Sequence, residues 1–323
     1  MTRVLALDVG GTNVRFSIAR VKARSITIEE QHRVPTKDYR RFEDAILAQR
    51  DWFTERGVER VSIACAGPVT KGVCKMSNLS WVVDARALTK RLRLPTQVLN
   101  DFEAVGLGVR YVPADRLVTL QKGQPDARGP VAILGAGTGL GEALVLRTER
   151  GERVMPTEGG HATFAPVDDD DAGLIAFVRR KLGGGHVSVE RVLSGQGLAN
   201  VFDWLVDSGR ASPSDALRSA LEGNDKAAVV GEAGTKGTDD AARMAVDRMV
   251  RIYGSEAGNL ALKSIPTGGL YLAGGIAPKI LPRLKKGFLA TFLDKGRMKP
   301  LLQKIPVHVI TDGDVGLRGA AAA

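Results

Sequence analysis

Cysteine is almost absent from this sequence, which has 323 residues and two cysteines, Cys65 and Cys74. Two cysteines cannot form a disulfide framework, and alone they cannot hold zinc. The four histidines are too few for a metal site built from imidazoles. A reducing compartment fits this composition, so we expect a cytoplasmic protein.

Long hydrophobic runs are also missing, since no apolar stretch reaches the roughly 18 residues that a membrane span needs. The apolar stretch near the N-terminus is too short for a signal peptide. With 44% hydrophobic residues the chain is too apolar to be disordered, and no Gly-X-Y period indicates collagen. The length predicts two domains. The lack of long apolar runs predicts that the chain has no membrane partner.

Glycine and positive charge, by contrast, are in excess. The chain has 38 glycines, about 12% of its residues, where about 7% is usual. Its 46 Lys and Arg against 36 Asp and Glu give a formal net charge of +10. The charges are scattered rather than collected in a tail, so we expect a solvated surface, compatible with phosphate-bearing ligands, and no nucleic-acid partner.

Strands alternate with helices along the chain, which predicts an α/β fold. Residues 1–35 indicate strands around a glycine turn, and residues 41–56 suit one helix. Residues 168–263 are mostly helical in pattern, although 208–240, rich in Gly, Ser, Asp and Lys, are the least constrained part. A terminal helix is predicted from Val315 onward.

Two glycine turns, Gly10–Asn13 and Gly135–Gly141, follow the same pattern about 125 residues apart. A strand precedes and another follows each turn, whereas the Walker and Rossmann loops lead into a helix, so neither motif is present. Backbone N–H groups without side chains can bind phosphate. A tight hairpin is the alternative for one copy. Two copies, with Asp8 before the first, favour a phosphate site beside a water-held Mg²⁺.

Asn100 and Asp101 follow a predicted strand and precede a predicted helix. Strand ends of this kind face ligands in α/β sheets, so Asp101 could accept a proton from a hydroxyl while Asn100 holds a neighbouring oxygen. The alternative is a helix N-cap, a position that Asn and Asp favour. Asp84 is predicted to cap another helix, which runs through Arg93.

Three further segments carry candidate binding residues. Glu158 and His161, separated by two glycines, suit the hydroxyls of a sugar, or form an ordinary polar loop. Glu190 is a second candidate carboxylate acceptor, or an acid in the first turn of a helix. Gly274 and Gly275 allow an adenine or ribose to approach the backbone, or form a strand–helix turn.

These segments together resemble the sugar kinase, Hsp70 and actin superfamily, and more narrowly the bacterial-type glucokinases, which lack the zinc motif of the ROK sugar kinases. The resemblance rests on collinear segments from residue 7 to residue 319: Leu7–Arg15, Leu99–Val105, Gly135–Gly141, Glu158–His161, Glu190–Gly195, Leu272–Ile276 and the Gly316–Gly319 stretch. It therefore covers nearly the whole chain.

The resemblance implies two actin-like (ribonuclease H-like) α/β domains with a central cleft. Residues 1–110 would form the small domain, with the helix of residues 312–323 packing back on it, and residues 111–311 the large domain. The implied activity is the ATP-dependent phosphorylation of D-glucose at its 6-hydroxyl, which feeds glycolysis. The family also suggests a homodimer.

Residue roles follow from the same resemblance. Asp101 would be the general base. The glucose hydroxyls would be bound by Asn78, Asn100, Asp101, Glu158, His161 and Glu190. ATP would lie along Asp8, Gly10, Gly11, Thr12, Asn13, Gly137, Thr138, Gly274 and Gly275, with Asp8 near the Mg²⁺ through water.

The sequence departs from the family pattern at Thr157, where Gly is usual, and at Gln196, where Pro is usual. These differences bear on specificity, so another hexose or polyphosphate as donor stays an alternative. A non-catalytic sugar-sensing regulator is the alternative from another class. Regulators of the ROK group carry an N-terminal helix-turn-helix, for which the first strand, beginning at Val4, leaves no room.

Overall fold

The computed structural model describes residues 1–23, 25–76, 79–149 and 151–323. The strands are β1 (Thr2–Val9), β2 (Asn13–Lys22), β3 (Ser25–Pro35), β4 (Arg60–Cys65), β5 (Val69–Thr70), β6 (Val73–Lys75), β7 (Val82–Asp84), β8 (Thr96–Asn100), β9 (Leu117–Gln121), β10 (Val131–Ala136), β11 (Leu140–Thr148), β12 (Gly151–Thr157), β13 (Gly269–Ala273) and β14 (Val307–Ile310). The α-helices are α1 (Phe42–Leu47), α2 (Arg50–Thr54), α3 (Ala85–Leu92), α4 (Asp101–Gly108), α5 (Asp169–Lys181), α6 (Gly195–Asp207), α7 (Asp215–Leu221), α8 (Lys226–Lys236), α9 (Asp240–Ser264), α10 (Ile276–Lys279), α11 (Leu281–Phe292), α12 (Lys299–Leu302) and α13 (Val315–Ala322). Short 3₁₀ turns lie between them, and this mixture confirms the α/β class.

The chain divides into two compact units. Unit 1 comprises Met1–Arg116, Glu152–Pro156 and Asp312–Ala323. Unit 2 comprises Leu117–Gly151 and Thr157–Thr311.

Unit 1 is built on a five-stranded sheet in the order β3-β2-β1-β4-β8. Strands β1, β4 and β8 are parallel, and β2 and β3 continue the sheet as an antiparallel meander. Both faces are covered, because Val4–Leu7 are all inaccessible to solvent although successive side chains point to opposite faces. Leu5 and Leu7 pack with residues of α1–α3, and Val4 and Ala6 pack with residues of α4 and α13.

Unit 2 is built on the neighbouring strands β11-β10-β13-β14-β9, in that order. Here β10 and β11 form an antiparallel hairpin, and β10, β13 and β14 are parallel. The same arrangement, a hairpin beside parallel strands, occurs around β1 and β2. The predicted repeat of strand, glycine turn and strand is therefore confirmed. The core of this unit lies between the sheet and the helices from α5 to α11, with Tyr253 of α9 fully buried.

Two local predictions were incomplete. Residues 41–56 form two short helices rather than one, because Gln49 leaves the helical conformation with φ −102° and ψ 7°. The stretch 208–240 contains α7 and α8, whose first turns are capped by the side chains of Ser214 and Asp225. Helix α8 buries Val230 and Gly234, so long-range packing orders a polar segment. No helix among the described residues is long and apolar enough to cross a membrane.

Candidate active site

The first glycine turn closes the β1–β2 hairpin in unit 1 and is held from outside by Thr36. The Gly10 N–H donates to the Asn13 carbonyl at 3.1 Å. The Thr36 N–H donates to the Thr12 carbonyl at 2.9 Å, and its hydroxyl donates to the Gly11 carbonyl at 2.9 Å. The side chains of Thr12 and Asn13 remain exposed. The turn is thus fixed in shape while its outer surface stays accessible to a ligand.

Asp8 lies beside this turn, as the second-last residue of β1. Burial raises the pKa of its carboxyl, although Arg15 and Arg33 act in the opposite direction. The Arg15 guanidinium is 3.7 Å from the Asp8 carboxylate and also forms an ion pair with Asp314. About a third of the Asp8 side chain (36%) is accessible. One partly accessible carboxylate beside a phosphate-type turn fits a cation held through water better than one held by direct ligands alone.

Asp101 is placed at the same edge of the sheet as this turn. Val9, Cys65 and Asn100 lie side by side at the carboxyl ends of β1, β4 and β8, and Asp101 follows Asn100 directly. Two strand spacings separate β1 from β8, roughly 10 Å. The structure therefore brings the first glycine turn, Asp8 and Asp101 to one edge of unit 1.

The N-cap interpretation of Asn100 is confirmed. Its Oδ1 accepts hydrogen bonds from the N–H groups of Phe102 at 2.9 Å and Glu103 at 3.2 Å, and its Nδ2 donates to the Gly67 carbonyl at 3.1 Å. Asp101 is consequently the first residue of α4, and its Oδ1 accepts from the Phe102 N–H at 3.0 Å. The N-terminus of a helix stabilises a negative charge, and the Asp101 carboxylate lies in this first turn.

The second glycine turn closes the β10–β11 hairpin in unit 2. The Gly137 N–H donates to the Gly139 carbonyl at 2.8 Å, and the Gly195 N–H donates to the Gly137 carbonyl at 2.8 Å. Glu190 holds the far side of the turn, because its Oε2 accepts from the Leu140 N–H at 2.8 Å. A side chain at Gly139 would collide with that carboxylate, at 2.6 Å from its Oε2. Glu190 thus supports the turn directly.

Other parts of these glycine segments are open. A Cβ atom at Gly137 or at Gly275 would meet no heavy atom within 4 Å, and the Thr138 side chain is exposed. Gly274 differs, since its φ of +80° and the Ala136 carbonyl, 2.3 Å from the position of a Cβ, require glycine. The two turns that end β10 and β13 are therefore packed against each other, and the glycine positions Gly137 and Gly275 leave open space on which a nucleotide could lie.

The Glu158–His161 loop is the third element and also belongs to unit 2. Its residues 159–161 form a 3₁₀ turn, which brings the carboxylate of Glu158 within 3.8 Å of the His161 ring. Both side chains are mostly exposed. The Val189 N–H donates to the Ala162 carbonyl at 3.0 Å, so the loop is joined to the 3₁₀ turn that carries Glu190. The structure thus groups the three predicted sugar-binding residues of unit 2.

Several supporting residues were missed by the sequence patterns. Thr36 gave no signal, because its role depends on the pairing of β2 with β3. His186 has its Nε2 2.9 Å from the His161 carbonyl. The only sequence signal for it was that it follows three glycines. Arg15 lies in the matched segment at the first turn, which could have indicated it. Glu142, a buried acid in the mainly apolar first half of β11, is a recognisable signal that was not used.

Asn78, predicted to bind the sugar, lies outside the described residues. Within the described ranges, no cluster of three or more His, Cys, Asp or Glu side chains could hold a metal ion.

Comparison with known proteins gives full-length matches. The glucokinase family model matches residues 5–323. A glucokinase of Nostoc sp. (strain PCC 7120 / SAG 25.82 / UTEX 2576) is 38% identical over 340 residues, covering 99% of this chain and 98% of the relative. The crystal structure of a glucokinase from an Antarctic psychrotroph has a TM-score of 0.83 at 30% identity, covering 100% of this chain and 98% of that one. A ROK family glucokinase from Streptomyces griseus, crystallised with glucose and AMPPNP, shares the fold with a TM-score of 0.71 at 22% identity, over 99% and 98% of the two chains.

Proposed function

The chain belongs to the glucokinase family, and from that premise we propose that it transfers the terminal phosphoryl group of ATP to the 6-hydroxyl of D-glucose. The observation that carries the proposal is the position of Asp101, an acid in the first turn of α4 at the sheet edge that also holds the first glycine turn. Phosphoryl transfer mainly requires alignment of the reactants and neutralisation of charge, which such an arrangement supplies.

Asp101 acts as the general base in this proposal. It accepts the proton of the 6-hydroxyl while the oxygen attacks the terminal phosphorus, and the bond from that phosphorus to the bridging oxygen breaks. The carboxylate lies at the N-terminus of α4, where the helix dipole stabilises a negative charge. Asn100 contributes by holding the first turn of α4, and among the described residues its amide group, which has two hydrogens, donates to the Gly67 carbonyl.

Three further residues are assigned to glucose on the family resemblance. Glu158 and Glu190 accept hydrogen bonds from hydroxyls, and His161 binds a further oxygen. Glu190 has one oxygen engaged with the Leu140 N–H, which leaves its second oxygen for the sugar. Asn78 is included on the resemblance alone. This division of roles is supported by the exposure of Glu158 and His161.

ATP is assigned to the two glycine turns and to Gly274 and Gly275. Gly10–Asn13 and Gly137–Thr138 would bind the phosphates, and the open face at Gly275 would border the nucleoside. The Mg²⁺ of ATP would be held near Asp8 through water, where it would neutralise phosphate charge. The fold neighbour crystallised with AMPPNP supports a nucleoside triphosphate as donor.

We expect Asp101→Asn to lose nearly all turnover, because an amide cannot accept the hydroxyl proton, while binding of ATP and glucose persists. A matched control is Glu103→Gln, which removes a charge from the same first helical turn. The measurement is a coupled assay for glucose 6-phosphate together with calorimetric titration of each ligand. Near-normal turnover in Asp101→Asn would remove Asp101 from the mechanism.

Panels of sugars and donors test the finer parts of the proposal. Mannose, fructose and N-acetyl sugars are the alternative acceptors to test against glucose, and polyphosphate is the alternative donor to test against ATP. A sugar-sensing protein without catalysis would bind glucose yet form no glucose 6-phosphate. The proposal also places the enzyme in the cytoplasm, as a homodimer that supplies glycolysis, on the strength of the family resemblance.

A further inference from the structure

The Glu158–His161 loop lies directly on strand β11, with its two glycines against the strand. At Gly159 a Cβ atom would lie 2.0 Å from Oε2 of Glu142, and at Gly160 it would lie 2.1 Å from the Leu140 carbonyl oxygen. The Thr157 hydroxyl reaches the Glu142 carbonyl at 3.4 Å, and the Gly159 N–H reaches that hydroxyl at 3.2 Å. Glu142 therefore contacts the main chain of the loop that carries two candidate glucose ligands.

Glu142 is an unusual residue for this position, because only 4% of it is exposed. Within the described part of the chain its Oε1 has no hydrogen-bond partner. A buried carboxylate without a donor is costly, whereas the protonated acid or an amide is tolerated much better. Glu142 is therefore a buried, incompletely bonded acid directly beneath the loop.

The charged groups around Glu142 do not cancel its charge. Glu256 on α9 repels it, and the exposed Lys263 on the same helix attracts it. Glu256 is itself buried and is bonded to Asn259. Further titratable groups near the loop are Glu158 and His161, which it carries, and Glu190, which lies beside the second glycine turn. Burial, together with Glu256, raises the pKa of Glu142 to about 7.

We propose that Glu142 is a positioning residue for the Glu158–His161 loop and that its ionisation weakens glucose binding. The neutral side chain lets the loop pack on β11 with Glu158 and His161 in place. The ionised side chain is better solvated when the loop lifts and admits water, so the docked loop becomes less populated. The inference rests on the proposed function, since it assigns a pH dependence to the same sugar site.

The test is a calorimetric titration with glucose from pH 5.5 to pH 8.5. For the wild type we expect the affinity to fall by about tenfold between pH 6.5 and pH 8.5. Glu142→Gln, which has the shape of the acid and no charge, should retain its affinity over that range. The loop residues are unchanged in the variant, so the difference in slope between the two proteins belongs to Glu142.

Glu256→Gln is the matched control, since it removes the neighbouring buried charge without touching the loop. It should keep the slope and move its midpoint to lower pH, because Glu256 helps to hold Glu142 neutral. A second readout needs no variant. Amide exchange at residues 161 and 162, corrected for the intrinsic rates, should be faster at pH 8.5 than at pH 6, because their N–H groups close the 3₁₀ turn of the loop.

Each contrary outcome has a distinct meaning. If the wild type binds glucose with an affinity that does not change with pH, or if Glu142→Gln keeps the wild-type slope, the inference is wrong and the proposed function stands. If the wild type binds no glucose at any pH, the proposed function fails and this inference with it. Equal corrected exchange rates at the two pH values would also overturn the role of Glu142.

Discussion

At the scale of single residues, the hydroxyl of Tyr253 joins the ends of two strands. The side chain is fully buried in α9, and its hydroxyl donates to the Leu134 carbonyl at 3.2 Å and accepts from the Ala136 N–H at 3.4 Å. The Ala273 carbonyl is 3.5 Å away. Gly137 follows β10 directly, and Gly274 follows β13 directly. One hydroxyl therefore helps to fix the spacing of these two strands at the ends that lead into the candidate nucleotide-binding glycines.

We expect Tyr253→Phe to destabilise the protein by about 1–2 kcal/mol, since it leaves a buried N–H without its partner. The KM for ATP should rise several-fold while the KM for glucose changes little, because the lost contacts lie under the nucleotide turns. Tyr271→Phe is the control, as it removes the same atom from the middle of β13. Denaturant unfolding and steady-state kinetics provide the measurements, and an equal rise of both KM values would contradict the assignment.

Residue-level predictions succeeded where the neighbouring sequence decides the structure. Asp84 and Asn100 cap their helices as local patterns indicate, since a cap needs only the N–H groups two or three residues ahead. The environment of Glu142 could not be derived in this way. It depends on Gly159 and on Glu256, residues that only the tertiary fold brings together.

At the scale of elements, helices α4 and α13 cross with their backbones in contact. A Cβ at Gly319 would lie 1.6 Å from the Ala104 carbonyl oxygen, and one at Gly108 would lie 2.0 Å from the Val315 carbonyl oxygen. The resemblance singled out Gly319 without giving a reason. The reason is this crossing, which the pattern of a single helix cannot reveal, whereas the terminal helix itself is confirmed.

Two glycines of α13 give a matched pair for experiment. Gly319→Ala should cost about 3 kcal/mol or more, because the rigid backbone of α4 occupies the space that the methyl group needs. At Gly316 the nearest atom, on Val105, is 3.9 Å from the position of a Cβ, so Gly316→Ala should stabilise the helix by up to about 1 kcal/mol. Urea unfolding of both variants measures this, and equal effects would contradict the crossing described.

At the scale of the whole molecule, the pH dependence of the unfolding free energy is a sum of contributions of opposite sign from several titratable groups. Burial raises the pKa values of Asp8, Glu142, Asp171 and Glu256. Burial lowers the pKa values of His32 and His308, and the stabilisation that these neutral rings provide is lost as the pH falls below about 6.5. Hydrogen bonds and basic neighbours lower the pKa values of Asp168 and Asp203 despite their partial desolvation, so their stabilisation is lost only in strong acid.

Glu142 provides a separable part of this sum. Its pKa is about 7 in the folded chain and 4.5 as the ordinary value, so the folded state binds more protons than the unfolded state between these limits. The unfolding free energy therefore falls as the pH rises through that window, by at most about 3 kcal/mol, because lifting of the loop relieves part of the cost. Glu142→Gln should match the wild type near pH 5 and be more stable at pH 8, by up to that amount, as measured by urea unfolding. A constant difference at both pH values would contradict it.

The contribution of α13 to unit 1 also has a consequence for the order of synthesis. Residues 1–116 leave the ribosome first, yet the helix that covers Val4, Ala6 and Leu99 follows only after residues 117–311. At roughly 5–20 residues per second this interval lasts about 10–40 s. Throughout that time only α4 covers this apolar face of the first sheet, so the part of the face that packs against α13 stays exposed until the last residues are made.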